Sequence, residues 1–377
     1  MGYPLKSIII SLAAILFAAP SVFCETVNGS DGRITYIGRT EARDGAVSFD
    51  WTGVYLRVSF QGTSLEMKAS DSGKNYYNVW LDKDMDSIPD KVISTRGADS
   101  TIVIFTSKEI KERYGKNAKA LKAPHKVILQ KRTEGSQGRT TIHSFTTDGT
   151  FLQADPVKDR VIEFIGDSYT CGYGTEASNK ERFSPETENQ NLTYACKTAR
   201  YFGAEQIVLA HSGMGIARNY NGNLEKLVMP DLYLRVYDSA EEPAWDAATC
   251  PIKPDLTVIY LGTNDFSTKQ QPILGKWSSD YKTLLQEVRS NYGESVPILC
   301  IASKVDDLLA EYVKRAVLDS DIPNVYWTAI HDQAHDITSE LGSGWHPNYK
   351  GHRKVATCII PYISTITGWE MPFTPVE

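Results

Sequence analysis

The sequence predicts two domains in series, an N-terminal β-sandwich and a C-terminal α/β domain built on a parallel sheet with helices on both faces. Three observations carry this. The chain has 377 residues, more than one compact core accommodates. From Ile34 to Phe151 polar and apolar residues alternate in short runs punctuated by Gly, Asp and Ser, which is the period of half-buried strands. Beyond position 155 the texture changes to apolar runs followed by amphipathic stretches, the pattern of strands buried on both faces and of the helices that cover them.

In chain order, residues 1–24 come first. One cation, Lys6, precedes an apolar run from Ile8 to Ala19, then Pro20 and small residues up to Cys24. The run is short for a membrane span and reads as a secretory signal peptide cleaved after Cys24. A lipid-anchored Cys24 ranks second, because Phe23 is bulky where a lipoprotein signal has a small residue. The expected location is secreted or periplasmic. The β-sandwich spans 25–155, with strands in "GAVSFDW", "VYLRVSFQG", "SLEMKAS", "NYYNVWLD", "STIVIFTS", "HKVILQKRT" and "TIHSFTTDG". Asp82, Asp84, Asp86 and Asp90 in "WLDKDMDSIPDK" have calcium-like spacing, but the glycine and terminal glutamate of a calcium loop are missing. That stretch reads as a solvated hairpin insertion. A short linker, "DPVKDR", leads into the second domain, 156–377. Its strands are "VIEFIG", "QIVLAHS", "LTVIYLG", "VPILCIAS" and "NVYWTAI". Its helices are "LTYACKTARYFG", "DYKTLLQEVRSNYG", "VDDLLAEYVKRAVLDS" and a last one from about Lys350 to Ile366.

Composition narrows the function classes. Apolar residues are 41% and charged residues 23%, ordinary values for a globular chain. The net charge of −6 has no Lys/Arg cluster within it, which argues against a nucleic-acid partner. No second apolar run is long enough to span a membrane. Six cysteines form no Cys-x-x-Cys pair and no zinc-like spacing, so no metal and no cofactor are expected. Cys171 and Cys196 are a minority candidate for a disulfide, and Cys300 and Cys358 read as buried hydrophobes. Asn191-Leu-Thr is a glycosylation sequon only in a eukaryotic context.

The chemistry gathers at strand ends. The first α/β strand ends in Gly166-Asp167-Ser168. The second ends in "HSGMGIARNY" with Gly213 and Gly215, and the third in "YLGTNDF" with Asn264. The last is followed by "GSGWHPNYKGH" with Trp345 and His346. In a doubly wound sheet the carboxyl ends of the strands share one edge. A hydroxyl, a base and several N–H donors converging there suit acyl transfer. Ser168 is the nucleophile candidate and His346 the base that takes its proton. The Ser168 N–H, a glycine N–H from Gly215 or Gly213 and the Asn264 amide are candidate donors to the oxyanion. Trp345 could stack on a sugar or wedge into the core. Arg218 and Asn219 are candidates for lining the cleft. Each piece alone is a turn, a cap or a surface loop; the four in order are the signal.

These blocks resemble those of the SGNH (GDSL-type) hydrolases. "FIGDSYTCGYGTEA", "GWHPNYKGH" and the run "IGRTEARDGAVSFDWTGVYLRVSFQGTSLEM" are similar to signatures of carbohydrate esterase family 2, so the resemblance covers nearly all of the chain after residue 24. It implies a jelly-roll β-domain joined to a flavodoxin-like SGNH-hydrolase domain. It further implies removal of acetyl groups from plant polysaccharides such as xylan and mannan, an acetylated polysaccharide or oligosaccharide as partner, Ser168 as nucleophile, His346 as base, and Gly215 (or Gly213) with Asn264 as oxyanion donors.

One departure stands out. Most SGNH hydrolases carry an Asp three residues before the histidine; here that position is Ser343. Asp336 and Glu340 are the nearest acids before the histidine. The expectation is a Ser168–His346 dyad whose imidazole tautomer is fixed by a backbone carbonyl. Two rival functions stay open: another SGNH esterase, such as a sialate O-acetylesterase or a thioesterase, and a glycan-binding protein with a degenerate esterase cleft. The sequence does not specify the oligomeric state.

Overall fold

The computed structural model describes residues 24–115, 117–223, 227–238, 244–303, 307–330 and 338–377. The signal-peptide reading, Cys24 apart, and Asp336 lie outside the described residues.

The N-terminal half is a ten-stranded antiparallel sheet curled on itself. Its strands are β1 (Glu25–Asn28), β2 (Thr35–Ile37), β3 (Glu41–Arg43), β4 (Ala46–Phe49), β5 (Tyr55–Gln61), β6 (Leu65–Leu81), β7 (Lys91–Phe105), β8 (His125–Lys131), β9 (Thr140–Thr147) and β10 (Thr150–Leu152). Strand β6 makes the curl. Its first half pairs with β9, from Leu65 opposite Thr147 to Asp71 opposite Thr140. Its second half pairs with β8, from Tyr77 opposite Lys131 to Leu81 opposite Val127. The sequence reads this strand as two, because "DSGK" looks like a turn. Tertiary contacts override that preference. The buried Asp71 carboxylate accepts from Gly73 N–H at 2.9 Å, Thr95 Oγ1 at 2.6 Å and Thr140 Oγ1 at 2.5 Å, and Asn75 Nδ2 donates to both its oxygens. A buried carboxylate so fully bonded is tolerated inside a sheet. Two helices interrupt the sandwich that the alternation did not predict, α1 (Ser107–Tyr114) and α2 (Ala118–Leu121). The first opens with a capping box between Thr106 and Glu109.

The acidic insertion is a paired loop. Asp82 holds His125 Nδ1 at 2.8 Å and the Lys126 N–H at 2.7 Å. Asp90 holds Arg113 at 2.8 Å and Lys83 at 3.0 Å.

The C-terminal half contains β11 (Val161–Gly166), α3 (Ser168–Cys171), α4 (Tyr194–Tyr201), β12 (Glu205–Ala210), α5 (Met229–Tyr233), β13 (Leu256–Tyr260), α6 (Leu274–Tyr292), β14 (Ile298–Ala302), α7 (Leu308–Leu318), β15 (Val325–Ala329) and α8 (Tyr349–Thr367). The five strands are parallel in the order β12-β11-β13-β14-β15. Numbered within this half, that is 2-1-3-4-5, the flavodoxin-like order. Strands β11 to β14 are buried along their whole length. Helices α4 and α8 cover one face through Tyr194, Ala199, Val355 and Ile359. Helices α6 and α7 cover the other through Trp277, Leu284, Leu309 and Val313.

The two halves share one apolar cluster, running from Phe49, Trp51 and Phe60 to Ile165, Leu209 and Met214. Buried charge pairs cross the same boundary. Arg57 of β5 donates to both oxygens of Glu205 at the start of β12, at 2.6 and 2.9 Å, and the Tyr55 hydroxyl bonds to Glu205 as well. Arg39 lies 3.5 Å from Glu163 of β11, with both side chains fully enclosed, and sits over the rings of Tyr233 and Trp245.

The cysteine readings need two corrections. Cys171 and Cys196 are not joined: Cys171 faces Glu134 and Cys196 donates to Gln190 Oε1 at 3.1 Å. Cys358 is only partly buried, whereas Cys300 is fully so. The sequon residue Asn191 is buried, with its side chain bonded to Met85 O and Arg200, an arrangement that leaves no room for a glycan.

Candidate active site

The strand order reverses between β11 and β13, and the crevice of an open α/β sheet lies at the carboxyl ends of the strands at such a switch point. Ser168 follows β11 there, Asn264 follows β13, and the "HSGMG" loop follows the neighbouring β12. Strand β11 stops because Gly166 packs against Thr170, where an added Cβ would meet Thr170 Oγ1 at 2.0 Å. Asp167 then caps α3, accepting from Tyr169 N–H at 3.1 Å. Ser168 is thereby the first residue of a single helical turn and only 8% exposed. Its N–H is one of those a helix start leaves without an intrahelical partner.

His346 approaches from the other side. Its Nε2 lies 2.7 Å from Ser168 Oγ, and its Nδ1 lies 3.0 Å from the Gly344 carbonyl. Since that carbonyl can only accept, Nδ1 carries the hydrogen and Nε2 is the lone pair facing Ser168. The turn that presents the carbonyl has two successive left-handed residues, Gly344 at φ 60° and Trp345 at φ 65°. A non-glycine residue in that region stores strain, as is common at functional turns. Tyr173 packs against the imidazole at 4.5 Å between centroids and Tyr169 meets it edge-on at 5.2 Å. Burial pushes the His346 pKa below its usual value, so the ring is held as the neutral base. Ser343, three residues before His346, turns its hydroxyl to the Glu181 carbonyl at 2.8 Å. Glu340 pairs with Lys354 at 2.8 Å.

The donor side differs in detail from the expectation. The Gly215 N–H is already committed to Asn219 Oδ1 at 3.0 Å, so it is a loop bond and not a donor into the crevice. Among the described residues, the Ser168 and Gly213 N–H groups have no acceptor. Gly213 has φ 82°, a conformation that favours glycine. Asn264 Nδ2 donates to Asp167 Oδ2 at 3.1 Å and to the Met214 carbonyl at 2.8 Å. An oxyanion would compete with that neutral carbonyl, and an anion is the stronger acceptor.

The two cleft-lining candidates both hold loop structure. Asn219 is 5% exposed and bonds the loop to itself, through Gly215 N–H and the Leu227 carbonyl at 2.9 Å. Arg218 donates to the Asp265 carbonyl at 2.7 Å and to the Gln270 carbonyl, bracing the neighbouring loop. Trp345 is 71% exposed beside His346 and is not wedged into the core.

The sequence reading missed three acids. Asp167 orients Asn264, and burial raises its pKa to about 7. Asp265 accepts from the N–H groups of Ile216, Ala217 and Arg218 at 2.8, 2.8 and 3.1 Å and so shapes the loop that carries Gly213. Burial raises its pKa to about 6. Glu134, from the β-half, reaches the Ser212 N–H at 2.6 Å. The position of Asp167 and Asp265 beside two motif residues was a signal; Glu134 had none. Glu134, Cys171 and Glu188 place three ligand-type atoms within 4.8 Å of one another. Burial pushes the Cys171 thiol and the Glu188 carboxyl well up, which disfavours the charged form of each, and the buried Lys131 amine lies near Glu188. Such a set suits a hydrogen-bonded network and not a cation cage.

A serine and a histidine in hydrogen-bond contact on a flavodoxin-like sheet, with N–H donors alongside, define the class of SGNH-type acyl hydrolases. Residues 164–354 match the GDSL-like lipase/acylhydrolase family, and residues 36–156 match the carbohydrate esterase 2 N-terminal family. The chain belongs to the GDSL-like lipase/acylhydrolase family, in its carbohydrate esterase family 2 form. It is 31% identical over 356 residues to the cellulase/esterase CelE of Acetivibrio thermocellus, covering 92% of this chain but 41% of that protein. It is 26% identical to an acetylxylan esterase / glucomannan deacetylase of Cellvibrio japonicus, covering 91% of this chain and 92% of that one. A family two carbohydrate esterase from Clostridium thermocellum, solved with cellohexaose, superposes with a TM-score of 0.77 at 29% identity, covering 89% of this chain and all of that one (100%). One from Cellvibrio japonicus shares the fold, with a TM-score of 0.80 at 24% identity over 92% of this chain and 99% of that one.

Proposed function

We propose that this protein is an exported serine esterase that removes O-acetyl groups from plant polysaccharides of the xylan or mannan type through an acyl-enzyme. The observation that carries the reading is the 2.7 Å contact between Ser168 Oγ and His346 Nε2. Ser168 Oγ attacks the acetyl carbonyl and its proton passes to His346 Nε2. The tetrahedral oxyanion is received by the Ser168 and Gly213 N–H groups and by Asn264. Collapse expels the sugar hydroxyl, which takes the proton back from His346. Water, activated by the same imidazole, then releases acetate and regenerates Ser168. Gly344 supplies a carbonyl dipole to the imidazolium, so Nδ1 is held by the backbone and not by a carboxylate. The names of the relatives and the cellohexaose complex of one of them support a carbohydrate substrate. The exposed indole of Trp345 beside the base supports it further.

The test uses p-nitrophenyl acetate, p-nitrophenyl octanoate and acetylated xylan with the wild type and Ser168→Ala. Acetate release from the ester and the polysaccharide, lost by at least ~10³-fold in Ser168→Ala, is expected. Preference for octanoate would favour the thioesterase-like alternative. Glycan binding without turnover would favour the binding protein, and full activity of Ser168→Ala would remove Ser168 as nucleophile.

A further inference from the structure

One carboxylate group in the active-site floor comes from the other half of the molecule. Glu134 lies in the connection between β8 and β9 and is 3% exposed. Its Oε2 accepts from the Ser212 N–H at 2.6 Å and from the Cys171 thiol at 3.4 Å. Its Oε1 accepts from Ser136 Oγ at 3.0 Å. Its own backbone is held as firmly. Lys131 Nζ donates to the Thr133 and Glu134 carbonyls at 2.6 and 3.0 Å, and the Glu134 N–H reaches Glu188 Oε2 at 3.3 Å. The next residue must be glycine, because a Cβ on Gly135 would meet the Asp238 carboxylate at 2.4 Å.

The two partners of Oε2 are not arbitrary. Cys171 closes the helical turn that Ser168 opens. Ser212 is the residue before Gly213. The Ser168 and Gly213 N–H groups, neither of which has an acceptor among the described residues, therefore sit on two segments tied to a single oxygen atom.

We infer that Glu134 is a positioning residue of the β-half that sets the separation of the two backbone donors of the oxyanion hole, by joining the Ser168–Cys171 turn to the Ser212–Gly213 turn. This rests on the reading of Ser168 as the nucleophile of an ester hydrolase. The physical reason is geometric. Donors stabilise a transition-state charge only when they are fixed in advance at hydrogen-bond distance from where it develops, and small displacements forfeit much of the effect. Each turn has bonds of its own, Thr170 Oγ1 to the Tyr194 hydroxyl at 2.9 Å in the first and the Tyr220 N–H to the Gly213 carbonyl at 2.8 Å in the second, but these fix each turn separately. The Glu134 carboxylate bonds to both and so fixes one against the other.

The test uses the full-length chain carrying Glu134→Ala, Glu134→Asp or Glu134→Gln, with p-nitrophenyl acetate as substrate and methylboronic acid as a tetrahedral probe of the hole. Glu134→Asp withdraws the carboxylate by one methylene and cannot reach both turns. A kcat lowered by ~10–100-fold is expected for the Ala and Asp variants, below the loss seen when a donor is deleted outright. KM should stay within about threefold, as befits an interaction used in the transition state. Affinity for methylboronic acid should fall in parallel with kcat. Glu134→Gln should keep most of the wild-type kcat, because an amide oxygen can still accept from Ser212. If Glu134→Ala does not fold, the Asp and Gln pair carries the test. Wild-type kcat in Glu134→Asp overturns the inference, as does a loss confined to KM or a Gln variant as slow as Ala. Ser168→Ala in the same assays separates the two readings. If Ser168→Ala is inactive while Glu134→Asp is normal, only the positioning role fails. If Ser168→Ala is active, the reading of the site itself fails.

Discussion

His346 is aimed from both ends, its Nδ1 held 3.0 Å from the Gly344 carbonyl and its Nε2 2.7 Å from Ser168 Oγ. Ser168, Asn264 and His346 stand beside glycines at strand ends, and the strand pattern alone places those ends on one edge. Which glycine N–H stays open could not be read, because Asn219 commits the Gly215 N–H through a side-chain bond across the loop. The role of Asp167 was hidden for the same reason. It looks like a helix cap, and it is one, but its second oxygen holds Asn264 Nδ2 at 3.1 Å. Asp167→Asn tests this. The new amide oxygen can still cap Tyr169, but its nitrogen would face the Asn264 nitrogen, donor against donor. Asn264 must then turn over and present its oxygen to the oxyanion. A kcat lower by ~10²-fold or more with little change in KM is expected in steady-state p-nitrophenyl acetate assays. An unchanged kcat would mean that the Met214 carbonyl alone orients Asn264.

At the scale of elements, the regular ones matched the pattern and the irregular ones did not. The α/β strands and helices were legible because apolar period and length agree. Strand β6 was not, because its polar centre is stabilised by Thr95 and Thr140 from the neighbouring strands β7 and β9 together with its own Asn75. Helices α1 and α2 sit inside a β texture too short to announce them. The turn from Ser343 to His346 belongs to this scale. Its backbone supplies the carbonyl for Nδ1, and its left-handed conformation pushes the Trp345 ring outward. Trp345→Ala should therefore leave the dyad in place while removing an exposed aromatic face of the kind that stacks on sugars. The expected result is an unchanged kcat and KM on p-nitrophenyl acetate with a KM on acetylated xylan raised about tenfold, a loss in the range of one stacking contact. Equal losses on both substrates would instead assign Trp345 to the geometry of the turn.

The whole molecule is held together by charge pairs that neither half can satisfy alone. Glu205 and Glu163 both belong to the parallel sheet, and their cationic partners, Arg57 and Arg39, both belong to the β-half. Removing one member of a buried pair leaves an uncompensated charge and costs about 3–5 kcal/mol. A truncated protein starting at Val157 would lose both arginines and uncover the apolar boundary as well. It should be insoluble or lack a cooperative melt, whereas the chain from Glu25 onward should melt in one transition by calorimetry. A soluble truncated half with full activity would show that the sandwich is a separable appendage. The short linker made close packing legible, but no local pattern marks an arginine destined for a carboxylate more than a hundred residues away.

Strand β1 pairs with β9, Glu25 opposite Thr147 and Asn28 opposite Ser144, so the first strand of the sandwich is clasped by one of its last. During synthesis, domains form in the order in which they leave the ribosome. The sandwich is complete once residue 152 has emerged, before any strand of the parallel sheet exists. Arg39, Arg57 and Glu134 are then already on its surface when Glu163, Glu205 and Ser212 follow. The nascent parallel sheet thus assembles against a finished template, and the direction of translation coincides with the order in which its buried charges acquire their partners. A circular permutant that places the sandwich last would retain every contact of the finished molecule but would expose those carboxylates, unpaired, for the whole time needed to make the second half.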